Sequence, residues 1–147
     1  MQAKIDAYRQ TDVETADRGR LLLMVYDHCI KWCIAAREAI EKKQIVARTQ
    51  AIFKVQDGIT ELICSLDMEK GGDISTNLRR LYDFYNQHLT QANIKNNAQN
   101  VAEVQEMLES LREGWVVAIA NVRQNHELAP RLHQTPTSSR SYISMVG

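Results

Sequence analysis

Between Asp17 and Val122 the apolar residues recur three and four positions apart, the period of helices that each bury one stripe. A first stripe, Leu22, Tyr26, Cys29 and Cys33, predicts a helix from Asp17, a favourable N-cap, to about Lys43, where Lys42 and Lys43 suit the negative end of a helix dipole. A second stripe runs Ile45, Ile52, Val55, Ile59, Leu62 and Leu66, and stops at Lys70, Gly71 and Gly72, glycine being the residue that takes a left-handed C-cap most readily. Asp73 then caps a third helix with the seam Ile74, Leu78, Leu81, Tyr85, Leu89 and Ala92, which fades into the turn-forming run NIKNNAQN. Asn100 with Glu103 reads as a capping box ahead of a fourth seam, Val101, Val104, Leu108, Leu111, Trp115, Ala118 and Val122.

Prolines stand only at 130 and 136, so no strong helix breaker precedes them. Four helices with short connections, each with one stripe to bury, predict an all-α fold, an antiparallel four-helix bundle over residues 17–126. Residues 1–16 carry Ile5, Tyr8 and Val13, too apolar for a solvated leader, and are expected to lie on the bundle as a covering segment. Residues 127–147 turn polar and small in PRLHQTPTSSRSYISMVG and read as a flexible tail.

Charge and composition narrow the function. Lysine plus arginine equals aspartate plus glutamate at 18 each in 147 residues, which argues against a nucleic-acid partner. The apolar runs stop short of the roughly 20 residues that span a bilayer, and the N-terminus lacks a signal segment, so no membrane insertion and a soluble, cytoplasmic chain are expected. Cys29, Cys33 and Cys64 sit at apolar positions, as buried free thiols would. Cys29 and Cys33 lie one turn apart beside His28 but lack a fourth ligand, so neither metal nor cofactor is expected.

Enzyme signatures are missing as well. No glutamate has a histidine three residues on, as di-iron bundles require; Gly71 and Gly72 precede an aspartate that would repel phosphate; and there is no nucleophile elbow. The alternative is a histidine phosphotransfer domain, also a four-helix bundle, since His28 and Lys31 in DHCIKW have its spacing. Against it, Trp32 stands where such domains commonly keep a small glycine.

The stronger anomaly is surplus apolar surface. Around the first helix, Leu21, Leu23, Val25, Ile30, Trp32 and Ile34 spread over most of the circumference left by the stripe, while one seam needs about a third of it. On the third helix Tyr82 and Phe84 flank Leu81 and Tyr85. Two accounts stand side by side: a bundle helix that touches two neighbours needs a wide face, or a groove is left for an amphipathic partner.

Three segments, YRQTDVETADRGRLLLMVYDHCIKW, SLDMEKGGDISTNLRRLYDFYNQHLTQANIKNN and AEVQEMLESLREGW, resemble the flagellar secretion chaperones of the FliS family over roughly residues 5 to 125. The most specific part is the order of SLDMEKGG and NLRRLYDFY between Ser65 and Tyr85. The resemblance implies a cytoplasmic export chaperone of type III secretion. Such a chaperone binds the disordered C-terminal segment of flagellin, prevents premature polymerisation and assists delivery to the flagellar export gate. It also implies the antiparallel bundle, and a tyrosine near the start of a covering segment, matched by Tyr8. The expected partner-binding residues are Leu21, Leu22, Tyr26, Leu81, Tyr82 and Tyr85, with Tyr8 and Val13 in the cover. Arg18 replaces the proline usual after the first helix's aspartate, a modest loss of N-terminal definition. A weak homodimer of the free protein is left open, as is the role of the tail after Pro130.

Overall fold

The computed structural model of the chain describes residues 2–132, and the side chains of all of these except 7–9, 11–13, 15 and 126–132. The described residues form four helices, α1 (Gln2–Glu41), α2 (Ile45–Cys64), α3 (Gly72–Lys95) and α4 (Ala98–Leu132), with no strand among them. The fold is the all-α helical bundle that the periodicity predicts.

The chain divides into two compact units, Leu22–Arg112 and the pair Met1–Leu21 with Glu113–Gly147. In the first, all four helices contribute. Arg48 and Gln56 of α2 meet Asn93 and Thr90 of α3, and Asp27 and Arg37 of α1 meet Arg112 and Gln105 of α4. In both pairs the numbers fall on one helix as they rise on the other, so these neighbours run antiparallel. The core is Tyr26, Cys29, Cys33 and Ala36 of α1, Ile52, Val55, Ile59 and Leu62 of α2, Tyr82, Tyr85, Leu89 and Ala92 of α3, and Val101, Val104 and Leu108 of α4. In the second unit, Gly19 of α1 is buried against Ile119 of α4, where an added Cβ would stand 2.9 Å from a methyl carbon.

Several boundaries differ from those the local signals suggest. Helix α1 begins at Gln2, not at Asp17, because nothing between them breaks a helix; Asp17 sits inside it and bonds Arg20 at 2.6 Å. It ends in a Schellman turn: Gln44 N–H donates to Ala39 O and Lys43 N–H to Ile40 O, with Lys43 itself left-handed at φ 57°. Helix α2 stops at Cys64, short of the glycine pair. The seven residues that follow form a braced turn in which the Asp67 carboxylate accepts from the N–H groups of Glu69 and Lys70, while its carbonyl accepts from Gly71 N–H and the Ser75 hydroxyl. Gly72, at φ 52°, starts α3, so Asp73 lies in the first turn, where its charge favours the dipole without capping.

Asn97, rather than Asn100, caps α4: its carboxamide oxygen accepts from Gln99 and Asn100 N–H, and Glu103 pairs with His88 at 2.6 Å instead of closing a capping box. Helix α4 continues to Leu132, past Pro130 and through the beginning of the stretch read as a tail. Residues 133–147 of that stretch lie outside the described residues.

Burial shifts the seams by a residue or so. On α3, Ser75 and Tyr82 take inward positions, Ile74 is 70% exposed, and Leu78 and Leu81 are half-buried. Ile45 of α2 and Ala118 of α4 are also exposed.

Helices α1 and α2 pack tightly at Gly58, where a Cβ would collide with the Cys29 sulfur. Gly58→Ala is therefore expected to cost about 1 to 3 kcal/mol through overpacking. Cys29→Ala in the same chain should recover part of the loss; additive costs in a urea-denaturation cycle would show that the two positions are not in contact.

Candidate partner-binding surface

The residues expected to bind a partner fall into three groups. Tyr26, Tyr82 and Tyr85 are fully buried, and the hydroxyls of Tyr26 and Tyr82 are hydrogen-bonded across α1 and α3. The Tyr85 ring lies edge-on to Tyr82 at 6.5 Å, and burial with the neighbouring Tyr82 pushes its hydroxyl up to about 12. These tyrosines are core and expose no binding surface themselves. Leu22, one turn before Tyr26, and Leu81, next to Tyr82 in sequence, are half-buried in the same unit. Leu21 belongs to the other unit and is 59% exposed. The side chains of Tyr8 and Val13 lie outside the described residues.

The surplus face of α1 thus divides by position. Of the run LLLMVY, Tyr26 is core, Leu22, Leu23 and Val25 are half-buried, and Leu21 and Met24 face solvent. Other exposed apolar side chains include Ile74, which the α3 seam marked, and Phe53 and Phe84, which the seams did not. The signal for Phe53 was present: it falls between Ile52 and Val55, off the α2 stripe. Phe84 stacks on His88 at 5.2 Å, beside the Glu103 partner of that histidine.

His28 is engaged structurally. Its ring is half-buried, the Nε2 N–H donates to the Lys54 carbonyl at 3.0 Å, and the ring meets Trp32 edge-on at 6.4 Å. Cys29 and Cys33 are buried and their thiols are pushed up to about 12, Cys29 by burial and then by Glu61, Cys33 by burial and then by Cys29 and Glu109. Cys64 departs from the expected burial. It closes α2 two positions beyond Leu62 and is exposed. No cluster of three metal-ligating side chains occurs among the described residues, and none of their helices is long and apolar enough to cross a membrane.

The described residues thus form a helical bundle with several exposed apolar side chains and no metal-ligating cluster among them. The comparisons give the family. The profile of the family described as flagellar protein FliS matches residues 1–122. The flagellar secretion chaperone FliS of Salmonella typhimurium is 38% identical over 116 residues, 76% of this chain and 86% of its own length. Those of Bacillus subtilis and Vibrio cholerae are 33% and 31% identical, covering 85% and 78% of this chain and 92% and 88% of their own lengths. The chain belongs to the FliS family.

Two measurements check the thiol environments. With Ellman's reagent at pH 8, one of the three cysteines should react promptly in the folded protein and all three in denaturant; three prompt equivalents would contradict the packing around Cys29 and Cys33. Because folding raises the Cys29 and Cys33 pKa values from 9.0 to about 12, the folded chain holds protons that the unfolded chain has lost. Their contribution to stability is complete below about pH 9 and declines as pH rises toward 12. Replacing both cysteines with alanine should flatten that decline in urea titrations across the range.

Proposed function

We propose that this protein is a cytoplasmic export chaperone that binds the disordered C-terminal segment of flagellin, holds it from premature polymerisation and assists its delivery to the flagellar export gate. Membership of a family whose curated relatives are named flagellar secretion chaperones carries the reading. The exposed and half-buried apolar side chains of α1 and α3, Leu21, Leu22 and Leu81 among them, support it, because a client that folds as it binds must bury apolar surface to offset its ordering. In this reading Leu21, Leu22 and Leu81 touch the client, while Tyr26, Tyr82 and Tyr85 hold the surface in shape from beneath.

Residues 1–16, with Tyr8 and Val13, act as a displaceable cover for that surface. Forming the cover requires α1 to break near Asp17, the residue whose side chain suits an N-cap and which lies inside a continuous helix here. The covered and continuous forms are then two states of one segment. A weak homodimer of the free protein follows from an uncovered apolar face, and the cover suppresses it.

Calorimetry with a peptide of the last roughly 40 residues of the cognate flagellin should show binding with a negative heat-capacity change, as coupled folding over 1,000 to 3,000 Å² requires. No binding would remove the chaperone reading. Leu81→Asp should weaken that binding tenfold or more while the chain stays helical by circular dichroism. Deleting residues 1–14 should raise both self-association and peptide affinity, and no change in either would exclude the cover. The phosphotransfer alternative fits poorly with a histidine whose Nε2 is already bonded to a neighbouring helix. His28→Gln should therefore leave peptide affinity within about twofold, at a stability cost of about 1 kcal/mol for the lost hydrogen bond.

A further inference from the structure

In the larger unit the α1–α2 and α3–α4 turns lie at one end, tied by Arg48, whose guanidinium donates to the side-chain oxygens of Asn93 and Asn96, each at 2.9 Å. Three aliphatic side chains stand there uncovered. Ile45 and Val46 open α2 and Ile94 is the penultimate residue of α3; they are 64%, 70% and 73% exposed. Lys42, Lys43 and Lys95 are exposed at the same end, and with Arg48 they face a single acid, Glu41, which leaves a net of three positive charges in a chain whose charges balance overall. The next charges along each helix do not cancel it. Arg37 and Glu38 offset each other on α1, Lys54 and Asp57 do so on α2, and Glu103 of α4 is paired with His88. Helix dipoles do not cancel it either, because α1 and α3 end where α2 and α4 begin. At the other end of α2 the balance is reversed, with Asp67, Glu69 and Asp73 against Lys70.

We infer that this end of the bundle is a peripheral contact for an anionic lipid surface, separate from client binding. Lysines around exposed aliphatic side chains combine the two terms of such a contact, attraction to charged headgroups and shallow burial of apolar area. The kind of cation favours lipid over an acidic protein segment. Carboxylates are recognised most specifically by the planar fork of arginine, and the arginine here is committed to Asn93 and Asn96, whereas the free cations are lysines, mobile point charges that suit a diffuse negative surface. Ile45, Val46 and Ile94 also line no part of the neighbouring α1/α2 groove, so they offer a peptide no walls there. The contact is reversible and superficial, since no helix among the described residues is long and apolar enough to cross a membrane.

Flotation of the full chain with phosphatidylcholine vesicles containing about one third phosphatidylglycerol should carry protein to the top of the gradient, and vesicles of phosphatidylcholine alone should carry little. Salt separates the two terms. Raising sodium chloride from about 0.1 to about 1 M shortens the screening length from about 10 to about 3 Å and should remove most of the partitioning. Lys42→Glu with Lys95→Glu should lower partitioning about tenfold or more, and Val46→Asp with Ile94→Asp several-fold; these side chains are exposed, so circular dichroism and melting should stay unchanged. Lys70→Glu, at the opposite end, should change it less than twofold. An equal loss there, equal partitioning onto neutral vesicles, or none onto anionic ones would overturn the inference. Binding of poly-L-glutamate but not of vesicles, lost in Lys42→Glu with Lys95→Glu, would assign the end to an acidic protein and overturn it too. So would self-association, by sedimentation velocity, that Glu69→Lys with Asp73→Lys abolishes, since the acidic turn of a second copy would then be the occupant.

Discussion

The hydroxyl pair of Tyr26 and Tyr82 is the contact on which the arrangement of the larger unit turns. Short connections bring α1 against α2, α2 against α3 and α3 against α4, but no connection sets α1 against α3. A phenol buried without a hydrogen bond costs more than its ring gains by small adjustments, so the two hydroxyls hold these helices in one register. Tyr85 extends the same buried cluster, its ring edge-on to that of Tyr82.

On the α1/α2 side the constraint is the opposite one, smallness. Gly58 admits the Cys29 sulfur, and alanines continue along the seam. Small residues let the backbones approach, and the seam opens beside them. The other three seams carry arginine, glutamine, histidine and carboxylate side chains that reach across. The polar closures and the opening are thus two outcomes of one distribution of side-chain size.

Periodicity was most reliable where a stripe is deeply buried. Val101, Val104 and Leu108 of α4 and Ile52, Val55, Ile59 and Leu62 of α2 are core as the spacing predicts. It misled near helix ends, where one stripe residue no longer has a neighbour to meet: Ile45 and Ile74 satisfy the period yet face solvent. The end signals were real but were used differently. Asp17 bonds within a longer helix, Asp67 rather than the glycine pair organises the α2–α3 turn, and Glu103 serves His88. A side chain with two available partners takes the one that tertiary packing brings nearer, and the linear sequence does not contain that distance.

The amino-acid sequence by itself determined the helical class, the number of apolar stripes, the surplus on α1 and α3 and the family, because each depends on residue type and spacing along the chain. Only the tertiary structure decided which surplus residues are core and which are surface. Tyr26 and Tyr82 turn inward because each phenol finds the other 56 positions away, whereas Phe53, of similar bulk, lies beside alanines that leave its face open. Burial is a property of what stands opposite, and what stands opposite comes from elsewhere in the chain.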